Sequence, residues 1–484
     1  MSDQASYNPR RWAAFVVIMS ATLMDLIDTT VITVALPSLR DDLDASSAQL
    51  EWSLAGYTLA FASGMVTASR LGDRYGRRRV FQLGLAAFVV TSAVAGLSTG
   101  PEMLIAARVA QGAAAALMVP QVLAMLRAEF PPEEQSRATT IYGLVFATGG
   151  VAGPLVGGFL LDANLFDLGW RPIFFVNVPI GIAAMIGVAL LSRESRAEHA
   201  DSADAGGLVL VTLALLALLY PLIEGRVLGW PWWIFVILAA CPLLLWLLVR
   251  YENGVVRQGR APLVDPRLLR LRAAVGGLSA SILFFAGAAY TLVLTVHLQS
   301  AAGFSPLEAA VALVPAAVGV GLFTPLATRT RPIGRPLAVA GSLVMAAGMS
   351  LVLGGILVFD DDLSTWHLAP GLLIAGLGMS MTSGILVSTV MAKTPPHHAG
   401  AAAGLVSTAI QIGVAAGIAI VGTVYFELVE RGHGETTSVV GGLGTVIVLY
   451  LLAAPAALIL PGGRLDFAPA PDADEKAAAT AADR

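Results

Sequence analysis

Asp25 and Asp28 stand inside an apolar run that begins at Trp12, in the stretch TLMDLIDTTVITVALP from Thr22 to Pro37. Packing asks for no carboxylate there. Three residues apart on a helix, the two acids project from neighbouring positions on one face. A charged Asp at the centre of a membrane span costs about 2.5–3.5 kcal/mol on an insertion scale. A span with two of them is therefore expected to turn that face to a water-filled cavity. A close pair of buried carboxylates is suited to taking up and releasing a proton, and a deprotonated one favours a cationic or amphipathic ligand. A second charge, Arg108, lies in LIAARVAQGAAAA (Leu104–Ala116), with Gln111 and Gly112 following on the same helix. A guanidinium in a span is expected to face a cavity or a partner. Weaker candidates are Asn177 and Gln411 as helix–helix hydrogen-bonding groups; Phe284, Phe285 and Tyr290 are given no pocket role, because aromatics on a membrane helix more often face lipid or pack.

Two glycine-bearing motifs point to moving helices rather than to bond chemistry. In SRLGDRYGRRRV (Ser69–Val80), Gly72 and Gly76 permit a tight turn and a close helix approach. The arginines of this loop, Arg74 and Arg77 among them, hold it on one side of a membrane, but an orientation signal needs no acid such as Asp73. In GGVAGPLVGG (Gly149–Gly158), Gly149, Gly153 and Gly157 at four-residue spacing form a flat seam that Gly158 extends. Pro154 removes a backbone donor and is expected to kink that helix.

The elements that position these residues follow from composition. Of 484 residues 56% are hydrophobic and 13% charged, against about 25% charged in soluble domains. The apolar residues fall in blocks of the length that spans hydrocarbon as a helix. The fold class is an all-α polytopic membrane protein. The blocks are 12–36, 48–69, 80–98, 102–126, 138–161, 172–192, 206–223, 231–250, 272–298, 307–328, 336–359, 367–391, 399–425 and 438–461. Fourteen spans group as six, two and six: residues 1–192 as one six-helix bundle, 193–250 as two additional helices, 251–461 as a second bundle. Residues 462–484 read as a disordered tail.

With that count, the face holding both termini carries 24 of the 29 Lys and Arg residues, while the opposite loops are acidic, as in RDDLD and FDDDL. The basic face is thereby expected to be cytoplasmic. Gly76-Arg77 and Gly334-Arg335 fall at equivalent places in the two six-span blocks, as a duplicated architecture requires. One cysteine, Cys241, rules out an intrachain disulfide. No phosphate-binding loop, zinc-binding His-Glu-x-x-His or sizeable soluble domain is present, so neither an enzyme nor a nucleic-acid binder is expected, and no cofactor or metal.

The loop at Ser69–Val80 resembles the signature of the major facilitator superfamily, G-x-L-a-D-r-x-G-r-k, with Ser69 at its first glycine. That resemblance implies that Asp73 caps a helix of the other half, near Ala399–Gly400, and latches the cytoplasmic side closed. Arg108 to Gly112 looks like the R-x-x-q-G motif associated with proton transfer. Gly149–Gly158 looks like the antiporter motif of drug:proton exporters. WRPIFFVNVPIG (Trp170–Gly181) and LIDTTVITVALP resemble signatures of the fourteen-span drug:proton antiporters of the EmrB/QacA type, with Pro172 and Thr33 departing from the pattern. The implied protein is a proton-driven multidrug exporter of amphipathic, often cationic, compounds, with a dedicated exporter of one metabolite, antibiotic, siderophore or lipid as the alternative. Asp28 is the expected proton site, with Asp25 shaping which cargo is taken. The implied partners are drug-like small molecules, protons and the lipid of a bacterial inner membrane, and the implied working unit is a monomer.

Overall fold

An apolar chain in lipid must close its backbone hydrogen bonds within each segment, and the regular structure of the described residues is accordingly helical. The computed structural model describes residues 8–197, 204–260, 262–263, 266–267, 272–330, 334–359, 362–392 and 399–460. The expected tail at 462–484 and parts of the two central loops lie outside them.

The first half comprises α1 (Arg11–Leu43), α2 (Ser47–Tyr75), α3 (Arg77–Gly96), α4 (Pro101–Glu129), α5 (Pro132–Asp162) and a rod broken into α6 (Pro172–Phe175) and α7 (Asn177–Leu191). Next come α8 (Ala205–Val227) and α9 (Trp232–Arg257). The second half begins with α10 (Arg272–Ala286), joined through a 3₁₀ turn at Gly287–Ala289 to α11 (Tyr290–Ser300). It continues with α12 (Pro306–Ala312), α13 (Val314–Thr330), α14 (Arg335–Phe359), α15 (Thr365–Ala392), α16 (Ala399–Glu430) and α17 (Glu435–Leu458).

Twelve helices among the described residues are long and apolar enough to cross a membrane. The two other expected spans, 48–69 and 138–161, fall within α2 and α5, which are helices of 29 and 31 residues. Lower hydropathy sets α2 apart, because even its charge-free stretch 52–69 is rich in Ser, Thr and Gly and carries Trp52 and Tyr57.

In the first half, α2 and α3 pack on α4, and α1 lies between α5 and α7; in the second, α14 packs on α15 and α17, and α10 on α16 and α17. The pair α8–α9 packs on itself and lays α8 across both α2 and α16. Helix α9 keeps most of its side chains outward, with Trp232, Phe235, Leu243 and Trp246 exposed, as expected of a lipid-facing surface. Gly76 and Gly334, the pair matched between halves in the sequence, both take positive φ, 110° and 60°, at the α2–α3 and α13–α14 turns. A side chain would strain the backbone at either.

The apolar core is not evenly distributed. Toward the acidic face it runs unbroken from one half into the other, through Leu36, Leu39, Leu292, Leu298, Tyr425 and Phe426. Toward the basic face, among the described residues, the first half has its own cluster around Phe15, Phe81 and Met125, while the second half's share of the continuous core runs on to Leu337, Leu386 and Leu460 beside a small cluster around Leu278 and Val406. The halves are therefore joined at one end.

Candidate functional site

Asp28 is fully buried on α1, and three other helices supply its polar surroundings. Arg108 of α4 donates from Nη1 to Asp28 Oδ2 at 2.6 Å. Gln111, one turn on, donates from Nε2 to Asp28 Oδ1 at 2.9 Å, and Asn177 donates from Nδ2 to the same oxygen at 2.6 Å. Ser92 of α3 closes the cluster, 2.8 Å from Gln111 Nε2. Asn177 opens α7 at the break in the α6–α7 rod, two residues before Pro179, which has no N–H for the carbonyl one turn back. Arg108 also donates from Nε to the Ser53 carbonyl at 3.2 Å and lies 4.3 Å from the Tyr57 ring centroid. Two charges taken out of water are tolerated when they are paired and held by further hydrogen bonds, and both members of this pair have such partners.

Asp25, one turn earlier, has a different environment. Its Oδ1 accepts the Tyr57 hydroxyl at 2.6 Å, and it is 5% exposed. Asp28 has a guanidinium and two amides, whereas Asp25 has a phenol.

Next to this cluster a cavity of about 660 Å³ lies between the halves, within the roughly 300–1,000 Å³ typical of small-molecule sites. Thr29, Thr33, Tyr57 and Arg108 form its first-half wall, and Phe284, Phe285, Tyr290 and Gln411 belong to the opposite wall. The expectation that the two carboxylates themselves line the cavity is corrected here. Polar groups on α3, α4 and α7 draw Asp28 into the bundle, and Tyr57 covers Asp25, so their partners Arg108 and Tyr57 form the wall instead. The wall continues toward the basic face as far as Thr324 and Ser383.

The seam residues share one role. A Cβ on Gly149, Gly153 or Gly157 would run into Leu26, Thr30 or Val31 of α1, so α5 rests directly on the helix that carries both aspartates. Gly158 faces the other way: a Cβ there would lie 2.7 Å from Leu307 Cα, on the second half. Pro154 lies inside α5, which continues through it to Asp162, and lines the cavity. The seam is thus two contacts, one within a half and one between halves.

In the α2–α3 loop, Asp73 Oδ1 accepts from Arg77 Nη2 at 2.8 Å, and the Asp73 carbonyl accepts the Ala197 N–H. Gly72 packs against the Gln121 side chain and Gly76 against Glu194. Arg74 sits over the ring of Tyr75. The expected partner region near Ala399–Gly400 has no described side chains.

One cluster escaped sequence reasoning. At the acidic end Glu51 of α2 is fully buried beside Arg226 of α8, with Arg226 Nη1 3.2 Å from Glu51 Oε1. The same guanidinium reaches Glu430 of α16 through Nε at 3.3 Å and lies over the Phe426 ring. Both are ion-pair contacts without hydrogen-bond geometry, since among the described residues neither oxygen of Glu51 and no nitrogen of Arg226 has a hydrogen-bond partner. Trp52 Nε1 donates to Glu224 Oε1 at 2.8 Å close by. Further ties at this end are Gln299 Nε2 to the Val34 carbonyl at 3.0 Å and Ser305 Oγ to Asp162 Oδ2 at 3.0 Å. A glutamate directly before Trp52 at the head of a predicted span was the signal available.

A family model described as Major Facilitator Superfamily matches residues 18–418. The chain is 41% identical over 436 residues to a Streptomyces coelicolor protein named "Probable actinorhodin transporter", covering 90% of this chain and 75% of that one. It is 33% identical over 473 residues to the "Puromycin resistance protein pur8" of Streptomyces alboniger, covering 92% and 91%. Among solved structures, an auto-inhibited POT family peptide transporter matches with a TM-score of 0.67 over 94% of this chain and 99% of that chain, at 14% identity, a likeness of fold.

Proposed function

Because the chain belongs to the Major Facilitator Superfamily, we propose that it exports amphipathic small molecules in exchange for protons, by alternating access across a bacterial inner membrane. Fourteen helices span in this reading, α2 and α5 included, with six-helix halves on either side of the α8–α9 pair. The basic face is cytoplasmic. The cavity walls then reach toward the cytoplasm, while the continuous core and the polar ties close the outside.

The observation that carries the reading is that Arg108 belongs at once to the cavity wall and to the Asp28 ion pair. Whatever protonates or deprotonates Asp28 must therefore rearrange a group that cargo touches. Cargo enters from the cytoplasm while Asp28 is held by Arg108. In the outward form a proton on the carboxylate loosens the α1–α4 tie, reshapes the wall at Arg108 and releases the cargo; return to the inward form delivers the proton inside. The proton drives this cycle only through its different affinity for the two forms. Asp25 and Tyr57 give the cluster a second proton-bearing pair, reachable from the cavity through the phenol. Asp73 is paired locally with Arg77, and in this reading it exchanges that partner for the start of α16 when the cytoplasmic side closes.

A dedicated exporter of one compound is favoured by a different observation: the two relatives described above are each named for a single antibiotic. Both readings are tested with inverted membrane vesicles under a proton gradient. Asp28→Asn is expected to insert but to lose gradient-driven accumulation of a fluorescent amphiphile. Wild-type accumulation by Asp28→Asn overturns proton coupling at this site, and a panel of unrelated amphiphiles separates broad from dedicated export.

A further inference from the structure

The acidic-end cluster holds more negative charge than its cation answers. Facing Glu51 are Arg226 and Glu224 from α8 and Glu430 from α16. One guanidinium is shared by two carboxylates, a third carboxylate is bound to Trp52, and the fully buried Glu51 has neither oxygen hydrogen-bonded among the described residues. A buried anion in that condition is completed by a stronger cation bond or by a proton. Its position gives the choice a consequence. Glu51 belongs to the first half, Arg226 to the inserted pair and Glu430 to the second half, and the backbone of Gly422 on α16 is pressed against the Glu51 side chain. Opening the outer side must pull these three apart.

We propose that Glu51 is a second proton-binding site, separate from the Asp28 cluster, and that a proton arriving from outside releases the outer gate by freeing Arg226 from it. When Glu51 is ionised, Arg226 ties α2 to α16 and the outer side stays shut. When the proton sits on Glu51, Arg226 has only the half-exposed Glu430 to hold, and the tie between the halves is lost. The inserted pair α8–α9 thereby supplies the central cation of the gate. This inference rests on the alternating-access reading above.

The test uses the full chain in right-side-out vesicles, with Cys241→Ala and a Thr33→Cys reporter on the cavity wall, labelled by a membrane-impermeant thiol reagent. Labelling should accelerate as the external pH is lowered. Glu51→Gln should label at neutral external pH at least roughly fivefold faster than the parent, the lower end of the couplings usual between linked sites, and should ignore external pH. Glu430→Gln cuts the same bridge at its α16 end, so it should also label faster than the parent at neutral external pH and respond less to external pH. It also provides a readout should Glu51→Gln fail to fold. Parent-like rate and pH dependence in either variant overturns the proposal. Labelling in inverted vesicles separates this failure from the other: a reporter reached from one side only, in every variant and at every pH, overturns alternating access itself.

Discussion

Neutralising Asp28 alone and neutralising it together with Arg108 should have different costs, and the difference measures what the pair is for. In Asp28→Asn, Arg108 stays 1% exposed with its partner's charge removed. The new amide must also turn a donor either toward Gln111 and Asn177, which both donate to Oδ1, or toward Arg108, which donates to Oδ2, so at least one hydrogen bond is lost as well. Breaking a buried pair on one side costs about 3–5 kcal/mol, and a lost buried hydrogen bond adds about 1 kcal/mol. Adding Arg108→Gln removes the stranded charge, and Gln111 can still hydrogen-bond the amide introduced at position 28; replacing a whole buried pair with neutral groups is often close to neutral. The double variant should therefore recover most of the stability lost by the single one, while transport stays absent in both. The assay is thermal unfolding in detergent for both variants, paired with proton-driven exchange in proteoliposomes. If the single and double variants melt together, the ion pair is not what holds α1 to α4. If the double variant exchanges at the parental rate, the pair is structural and the proton mechanism built on it fails.

Two further outcomes follow from the geometry. Gly153→Ala should sharply reduce folded yield, since its Cβ would overlap the Thr30 hydroxyl, whereas Gly150→Ala, with open space where its Cβ would go, should behave as the parent by size-exclusion profile. Tyr57→Phe removes the hydroxyl that donates to Asp25 Oδ1 while keeping the ring under Arg108; equilibrium cargo binding should change little, and proton-coupled exchange should fall for neutral and cationic cargo alike.

The chemistry was legible in the sequence where a residue broke the apolar pattern. Asp25, Asp28 and Arg108 stand out because a charge in a span is costly, and the glycine seam stands out by its spacing. What the sequence withheld was who meets whom. Asp28 and Asn177 are joined by a 2.6 Å hydrogen bond across 149 residues of chain, and nothing local in either helix announces the other. For the same reason the acids looked like cavity-lining groups: periodicity places them on one helix face but does not say whether that face meets water or three polar helices. Tyr57 and Glu51 went unremarked because an aromatic in a span and an acid at its end are both ordinary by composition. Their roles come from partners on α1, α8 and α16. The count of spans shows the converse: α2 is the less apolar helix because Ser, Thr and Gly are frequent in its charge-free stretch 52–69, where it packs on α4.

The flat seam between α1 and α5 has a mechanical consequence. Two layers of side chains between helices can absorb displacement by changing rotamers, but Gly149, Gly153 and Gly157 leave only one, that of Leu26, Thr30 and Val31 on α1, and so thin a close-packed layer has little slack. The two helices therefore behave as one stiff lever. Its middle is fixed to the Asp28 cluster, and its far end carries Gly158 against Leu307 of the opposite half. A shift of α1 too small to matter at the carboxylate is delivered undamped to the place where the halves touch.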